Sequence, residues 1–255
     1  MNTRVGPMVK SLVYLFPSSH YVLLSLFLFI GLELLFVIHQ WLFLLFFIFL
    51  AILIIGIFLI RSEEGEQFHP TQTILPALAA LGFAALAIYL PLTIYLHVYF
   101  LICAVLFFTI LKHGAKQAYP TWNMVISLAV LFAVIAPAIG WRYTLYTPVW
   151  TTLALIFPLI TLTAFQSLLR YTKTTGEAGI LSLTLSFTLA QVVWILQFLP
   201  LHFIVQAGFI VALYYIATQM VILSIERTLT RRSIMEYSLV GVVAILILAT
   251  TAYWS

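Results

Sequence analysis

Long apolar stretches recur along the chain and are separated by short polar segments. A transmembrane helix rises about 1.5 Å per residue and needs roughly 20 apolar residues to cross the hydrocarbon core of a bilayer. Such stretches can be drawn at residues 21–38, 41–60, 72–89, 91–111, 121–140, 148–169, 179–198, 200–224 and 236–253. The pattern predicts an all-α transmembrane protein, a polytopic helical bundle of about nine spans, counted as about eight or nine.

Three pairs of neighbouring stretches are separated by only a few residues. The breaks lie at His39-Gln40, Leu90-Pro91 and Leu199-Pro200. Links this short force antiparallel packing of the two helices, and proline stops a pair from continuing as one helix. Because no polar segment is long enough for a soluble domain, we expect a single membrane domain over residues 1–255.

The positive charges fall on one side of the predicted bundle. The other side has Arg142 alone, whereas the first side has Arg4, Lys10, Arg61, Lys112, Lys116, Arg170, Lys173, Arg227, Arg231 and Arg232. Cytoplasmic loops of membrane proteins are enriched in lysine and arginine. The asymmetry therefore predicts a cytoplasmic N-terminus and a C-terminus outside.

The composition supports lipid as the solvent of this chain. Hydrophobic residues make up 64% of the sequence and charged residues 7%, with a mean hydropathy of +1.18. Soluble domains carry about 25% charged residues. The net charge of +4 comes from basic residues at predicted helix ends, so the expected partner is the bilayer and not nucleic acid.

Catalytic motifs are missing from the sequence. The chain contains no aspartate, which excludes sites built on paired aspartates, and it has no G-x-S-x-G, P-loop, H-E-x-x-H or C-x-x-C motif. The lone Cys103 lies in an apolar run and has no second cysteine to pair with. We predict no catalytic residue and no cofactor, and the sequence favours a protein that is not an enzyme.

Rare polar residues concentrate in the predicted outer half of the membrane. A carboxyl group such as that of Glu33 costs about 2.5–3.5 kcal/mol in a span, so it normally faces the protein interior. The topology predicts an outer-leaflet polar site built from Glu33, His97, Arg142, His202 and Gln206. Such a site would bind a metal, an anionic headgroup or a proton. The alternative is a structural pair of Glu33 with Arg142, with histidines that only reach the interface.

A second polar strip lies in the seventh apolar stretch. Thr184, Thr188 and Gln191 recur at positions i, i+4 and i+7 and so share one helix face. Hydroxyl residues at this spacing are typical of a helix–helix contact. A solute pathway is the alternative interpretation.

The last third of the chain carries further recurring elements. They are Trp194 with Leu199-Pro200, the pair Tyr214-Tyr215, and a closing span from Glu236-Tyr237 to Trp254. With these elements the chain resembles an uncharacterised family of polytopic membrane proteins from small-genome candidate-phylum bacteria. That resemblance implies a multi-pass protein of the bacterial cytoplasmic (inner) membrane, and it implies no activity.

These observations favour a non-enzymatic membrane component, that is, a complex subunit, a scaffold or a lipid-interacting protein. Other membrane subunits are candidate partners beside the bilayer itself. The alternative is a transporter of a small or apolar solute. A further alternative is an intramembrane enzyme or metal-binding protein that uses the outer-leaflet polar site.

Overall fold

The computed structural model describes residues 19–37, 51–57, 73–90, 94–115 and 120–251. The described residues form helices joined by short turns, and residues 51–57 are also helical. The helices are α1 (Ser19–Val37), α2 (Ile74–Ala87), α3 (Ile94–Ala115), α4 (Pro120–Leu145), α5 (Val149–Leu168), α6 (Thr175–Leu196), α7 (Phe203–Ile225) and α8 (Arg231–Thr251).

Six described helices, α3 to α8, are long and apolar enough to cross a membrane. α1 and α2 contain shorter apolar helices, His20–Phe36 and Ile74–Ala87. The prediction of an all-helical membrane protein is confirmed at this level. The count of about nine spans and their orientation stay predictions.

Helix α6 begins at Thr175, several residues before the predicted stretch 179–198. The hydroxyl of Thr174 accepts a hydrogen bond from the backbone N–H of Glu177 at 3.2 Å and so caps the helix. The acidic Glu177 lies in the first turn, where the helix dipole favours negative charge. Hydropathy missed this turn because its residues are polar, although its backbone is helical.

Helix α8 likewise begins at Arg231 and not at the predicted position 236. The hydroxyl of Thr230 accepts from the backbone N–H of Ser233 at 3.2 Å, and Arg232 Nε lies 2.8 Å from Glu236 Oε1, one turn later. Polar capping again extends the helix beyond its apolar part.

The chain divides into two compact units. Unit 1 comprises Met1–Ala80 and Pro91–Pro120, and unit 2 comprises Leu81–Leu90 and Thr121–Ser255. In unit 1, α1 packs against α3. The buried side chains Leu28, Leu32 and Leu35 recur at helical spacing on α1, and Phe100 and Phe107 do so on α3.

The core of unit 2 is formed by one face from each of four helices, α4 to α7. Each face repeats every three or four residues, as an amphipathic helix requires. Its largest buried members include Leu131, Ile135 and Ile139 of α4, Ile156 and Ile160 of α5, Leu185, Leu189 and Val193 of α6, and Ile210 and Tyr214 of α7.

Helix α8 packs mainly on α7 through two glycines. A Cβ added at Gly241 would overlap Ile216 Cδ1, and one added at Gly208 would lie 2.9 Å from Leu248 Cδ2. Only 6% of the apolar window of α8 is buried. Most of this helix therefore presents apolar side chains outward, as expected of a helix in lipid.

Gly82 of α2 provides a test of packing in unit 2. A Cβ at this position would lie 2.7 Å from Val134 Cγ2 and 3.0 Å from the backbone carbonyl carbon of Ala133. Because backbone cannot move aside as a side-chain tip can, we expect Gly82→Ala to lower the free energy of unfolding by about 1–3 kcal/mol. Unfolding of the purified protein in bicelles measures this effect.

The matched control is Gly179→Ala in α6. A Cβ there meets nothing within 4 Å. Because alanine favours helix more than glycine does, the control should leave stability unchanged or raise it by up to about 1 kcal/mol. Equal effects of the two substitutions would contradict the close approach at Gly82.

Candidate functional site

Arg142 lies in the last turn of α4 and is partly buried. The predicted stretch 121–140 ends before this residue, and the helix continues beyond that stretch to Leu145. The Nη1 atom of Arg142 donates to the backbone carbonyl of Gln197 at 2.9 Å and also to the side-chain Oε1 of Gln197. These hydrogen bonds connect the C-terminal end of α4 to the C-terminal end of α6.

Gln197 is the C-cap residue of α6 and is only 4% exposed. Its amide orientation is fixed by chemistry, because a guanidinium group only donates and must therefore face the oxygen. The amide nitrogen Nε2 then has no hydrogen-bond partner and is buried. The side chain leaves one buried donor unused.

Gln206 lies in the first turn of α7 and is fully buried. Its Nε2 donates to the Tyr143 hydroxyl at 2.7 Å and to the Leu201 carbonyl at 2.9 Å. A carbonyl only accepts, so the nitrogen must face it, and Oε1 is left buried without a partner. This side chain leaves one buried acceptor unused.

His202 begins α7 as its N-cap residue. Its Nδ1 accepts from the backbone N–H of Ile204 at 3.4 Å, and its ring packs against Phe203 with centroids 4.4 Å apart. The imidazole is exposed. Its observed role is to cap the helix, one turn before Gln206.

Four side chains form what we call the Arg142 cluster: Arg142, Tyr143, Gln197 and Gln206. The part of the chain that the structure describes has no carboxylate within salt-bridge distance of Arg142. A buried polar atom without a partner costs about 1–3 kcal/mol, and native proteins leave few of them. The cluster therefore offers a positive charge, a buried donor and a buried acceptor to a ligand.

The acidic residues of α6 and α7 lie away from the Arg142 cluster along their helices. Glu177 lies in the first turn of α6, whereas Gln197 caps its C-terminus. Glu226 caps the C-terminus of α7, whereas Gln206 lies in its first turn. α4 and α5 contain no acidic residue at all. The charge at this end of the unit is positive.

Unit 1 contains a second polar contact, between Glu33 of α1 and His97 of α3. The His97 Nδ1 atom lies 2.8 Å from one carboxylate oxygen and 3.0 Å from the other. The side chain of His97 is 62% exposed and that of Glu33 is 26% exposed. The pair joins two mainly apolar helices.

The five predicted residues of the outer polar site thus fall into two groups. Glu33 contacts His97 within unit 1, and Arg142, His202 and Gln206 lie at one end of unit 2. A meeting of all five around one site stays a prediction. Among the described residues, no group of three or more His, Cys, Asp and Glu side chains is placed to hold a metal ion.

The predicted polar strip faces outward from α6. Thr184, Thr188 and Gln191 are all exposed. The hydroxyl of Thr184 donates to the Ile180 carbonyl at 2.9 Å, and that of Thr188 donates to the Thr184 carbonyl at 3.0 Å. Both threonines are therefore satisfied within their own helix, and whether the strip contacts another helix or a solute stays a prediction.

Two members of the Arg142 cluster, Tyr143 and Gln197, were not predicted as site residues. Tyr143 follows Arg142 directly, and Gln197 precedes the Leu199-Pro200 break on the same predicted side of the membrane. The sequence signal that could have identified them is their position near predicted helix ends. Their contacts depend on how α4, α6 and α7 pack together, and the spacing of apolar residues along one helix does not predict that packing.

The fold and the cluster define a helical membrane protein with a polar site at one end of a four-helix core. The chain belongs to the family described as "Protein of unknown function (DUF5656)", whose profile matches residues 36–251. No curated protein and no solved structure matches the chain. Membership of an uncharacterised family, predicted from the last third of the sequence, is confirmed.

The Glu33–His97 contact can be tested with a double-mutant cycle of Glu33→Ala and His97→Ala. We expect a coupling free energy of about 0.6 kcal/mol, the typical value for a polar contact between membrane helices. Because we expect both helices to lie in lipid, the coupling should persist at about 1 M salt, where exposed charges are screened. Unfolding in bicelles measures it.

The control cycle uses the exposed pair Arg232 and Glu236, which lie on one helix. Salt should abolish any coupling in that pair. A Glu33–His97 coupling of zero, or one that salt removes as readily, would argue against an ion pair within the membrane.

Proposed function

We propose that this protein is a non-enzymatic multi-pass membrane component that binds a lipid at the Arg142 cluster. The observation that carries the proposal is the state of Arg142, whose charge is held by two oxygens of Gln197 with no carboxylate partner among the described residues. A cation that is hydrogen-bonded only to neutral oxygens, at the end of an apolar helix, keeps its positive charge and attracts an anion.

The chemistry of the cluster supports binding over reaction. It contains a guanidinium, two amides and a phenol, and these groups position ligands by hydrogen bonding. A nucleophile paired with a general base is the usual mark of covalent catalysis. The hydrogen bonds of the cluster instead join donors to neutral oxygen acceptors.

The interior of unit 2 supports a site at its end more than a path through it. Further along α7 from Gln206, the buried face continues with Ile210 and Tyr214. These pack against mainly apolar faces of α4, α5 and α6. The buried polar side chains of these faces are small hydroxyls, among them Ser182 and Ser186, which bond to the carbonyls of their own helix. Such an interior favours a closed core over a route for a polar solute.

The proposal includes an orientation, with the N-terminus in the cytoplasm and the Arg142 end outside, in a bacterial cytoplasmic membrane. Support comes from the charge asymmetry of the sequence. In unit 2, Lys173 and Arg227 lie in the α5–α6 and α7–α8 links, whereas Arg142 lies near the α4–α5 link. These links alternate between the two predicted sides.

Cysteine labelling tests this orientation in a Cys103→Ala background. A membrane-impermeant maleimide should label Tyr146→Cys in intact cells, because Tyr146 is 93% exposed in the α4–α5 link. Lys173→Cys, in the α5–α6 link, should react only after the membrane is opened. The reverse pattern would invert the orientation, and labelling of both sites in intact cells would contradict the alternation.

Lipid binding is tested by adding a total lipid extract to delipidated protein and following thermal unfolding. We expect the extract to raise the Tm of the wild type by about 2–4 °C for each 1 kcal/mol of binding free energy, and Arg142→Gln to lose most of this rise. The matched control is Arg232→Gln, which removes an exposed arginine at the start of α8.

The control should respond to lipid as the wild type does. An equal rise in Tm for the wild type, Arg142→Gln and Arg232→Gln would show that lipid stabilises the protein without binding at Arg142. The proposed site would then be wrong.

A further inference from the structure

We propose that the Arg142 cluster binds an anionic phospholipid whose headgroup carries free hydroxyls, with the phosphodiester on Arg142 and the hydroxyls on Gln197 and Gln206. This inference rests on the proposed lipid-binding function and names the class of lipid. It is carried by the unused donors of Arg142 and by the two unpartnered atoms of the buried amides.

The phosphodiester is matched by the guanidinium of Arg142. Arginine has five N–H donors in a planar fork that fits phosphate oxygens in pairs. Only Nη1 of Arg142 bonds to the described residues, through Gln197. This bond fixes the position of the side chain at the end of α4 and leaves the Nε and Nη2 donors for an anion.

The headgroup hydroxyls are matched by the two glutamines. Gln206 Oε1 requires a donor and Gln197 Nε2 requires an acceptor, and a hydroxyl group supplies either. A ligand that carried only acceptors, as an ionised phosphodiester without further polar groups does, would satisfy Gln197 but not Gln206. A phosphodiester esterified to a polyol such as glycerol satisfies both.

Access to the amides requires a local movement, because both unpartnered atoms are shielded from solvent. The link between α6 and α7 is the element that can provide it. This link is short, and its residues Phe198 and Leu199 are exposed. Side-chain and loop adjustments of this kind are common when a ligand binds.

The surroundings of the cluster favour a lipid over a free anion. Trp141, next to Arg142, is 45% exposed, and Tyr143, on its other side, is 44% exposed. Tryptophan and tyrosine at helix ends lie at the level of lipid headgroups. Acyl chains of a lipid held at the cluster would run along the apolar helices, whereas a free anion gains nothing from these surfaces.

The test is a titration of delipidated protein in detergent, followed by native mass spectrometry. The probes are phosphatidylglycerol, which has an anionic phosphodiester and free hydroxyls, phosphatidylethanol, which is anionic but whose headgroup has no hydrogen-bond donor, and phosphatidylcholine, which has no net charge. We expect phosphatidylglycerol to bind the wild type at least about tenfold more tightly than either of the others.

Variants assign this preference to individual groups. Arg142→Gln should abolish it, and Arg142→Lys, which keeps the charge but loses the fork, should weaken it. Gln206→Leu removes the hydroxyl acceptor and should lower the affinity for phosphatidylglycerol to that for phosphatidylethanol. Arg232→Gln is the control and should bind as the wild type does. Arg142→Gln also removes the hydrogen bonds from Arg142 to Gln197, so it could weaken folding as well as lipid binding. Arg142→Lys keeps a positive charge and a donor at this position, and the difference in affinity between the two variants therefore separates binding from folding.

Inorganic phosphate serves as the probe for a free anion and is followed by thermal unfolding. We expect it to raise the Tm less than phosphatidylglycerol does. An equal rise would make the ligand a free anion and overturn the inference.

Equal binding of phosphatidylglycerol and phosphatidylethanol would also overturn the inference, because the hydroxyls would then be irrelevant. In that case, loss of the lipid-induced Tm rise in Arg142→Gln would still support the proposed function. If Arg142→Gln responded to lipid as the wild type does, both would be wrong.

Discussion

The structure depends on one constraint, which is that backbone N–H and C=O groups in hydrocarbon have no water to bind. Each must be paired within the protein, and a helix does this within a single segment. The described residues follow this rule, and their turns are short. At helix ends, where backbone groups have no partner within the helix, side chains such as Thr174 and Thr230 supply bonds. Polar chemistry is therefore concentrated at the ends of the helices.

The same constraint explains how the two unusual charges are accommodated. Glu33 lies within an apolar helix and contacts His97 on another helix. Arg142 has no described acidic partner, and its charge is shared with the neutral oxygens of Gln197. The first arrangement can reach neutrality within the protein. The second keeps a net positive charge, and this difference is why unit 2 and not unit 1 supports a proposal of anion binding.

Much of the architecture follows from hydropathy, because burial in lipid selects long apolar runs. The sequence predicted the helical class, and each of its nine stretches contains at least one helical segment of the described structure. Helix starts were harder, as α6 and α8 show, because capping residues are polar. For the site, Glu33 and His97 were singled out for their rarity, and they are in contact. Gln197 and Tyr143 were missed because their role is set by contacts among three helices, and the exposed side of Thr184 and Thr188 is set by the packing of α6.

The position of α8 has a consequence for the order in which the protein is assembled. Its extensive contacts are with α7, through Gly208 and Gly241, and it contributes no member to the buried core of α4 to α7. A chain enters the membrane from its N-terminus as it is synthesised. All four helices of that core, and with them the Arg142 cluster, precede α8 in the order of synthesis. Their packing therefore does not depend on α8, which docks onto the surface of α7.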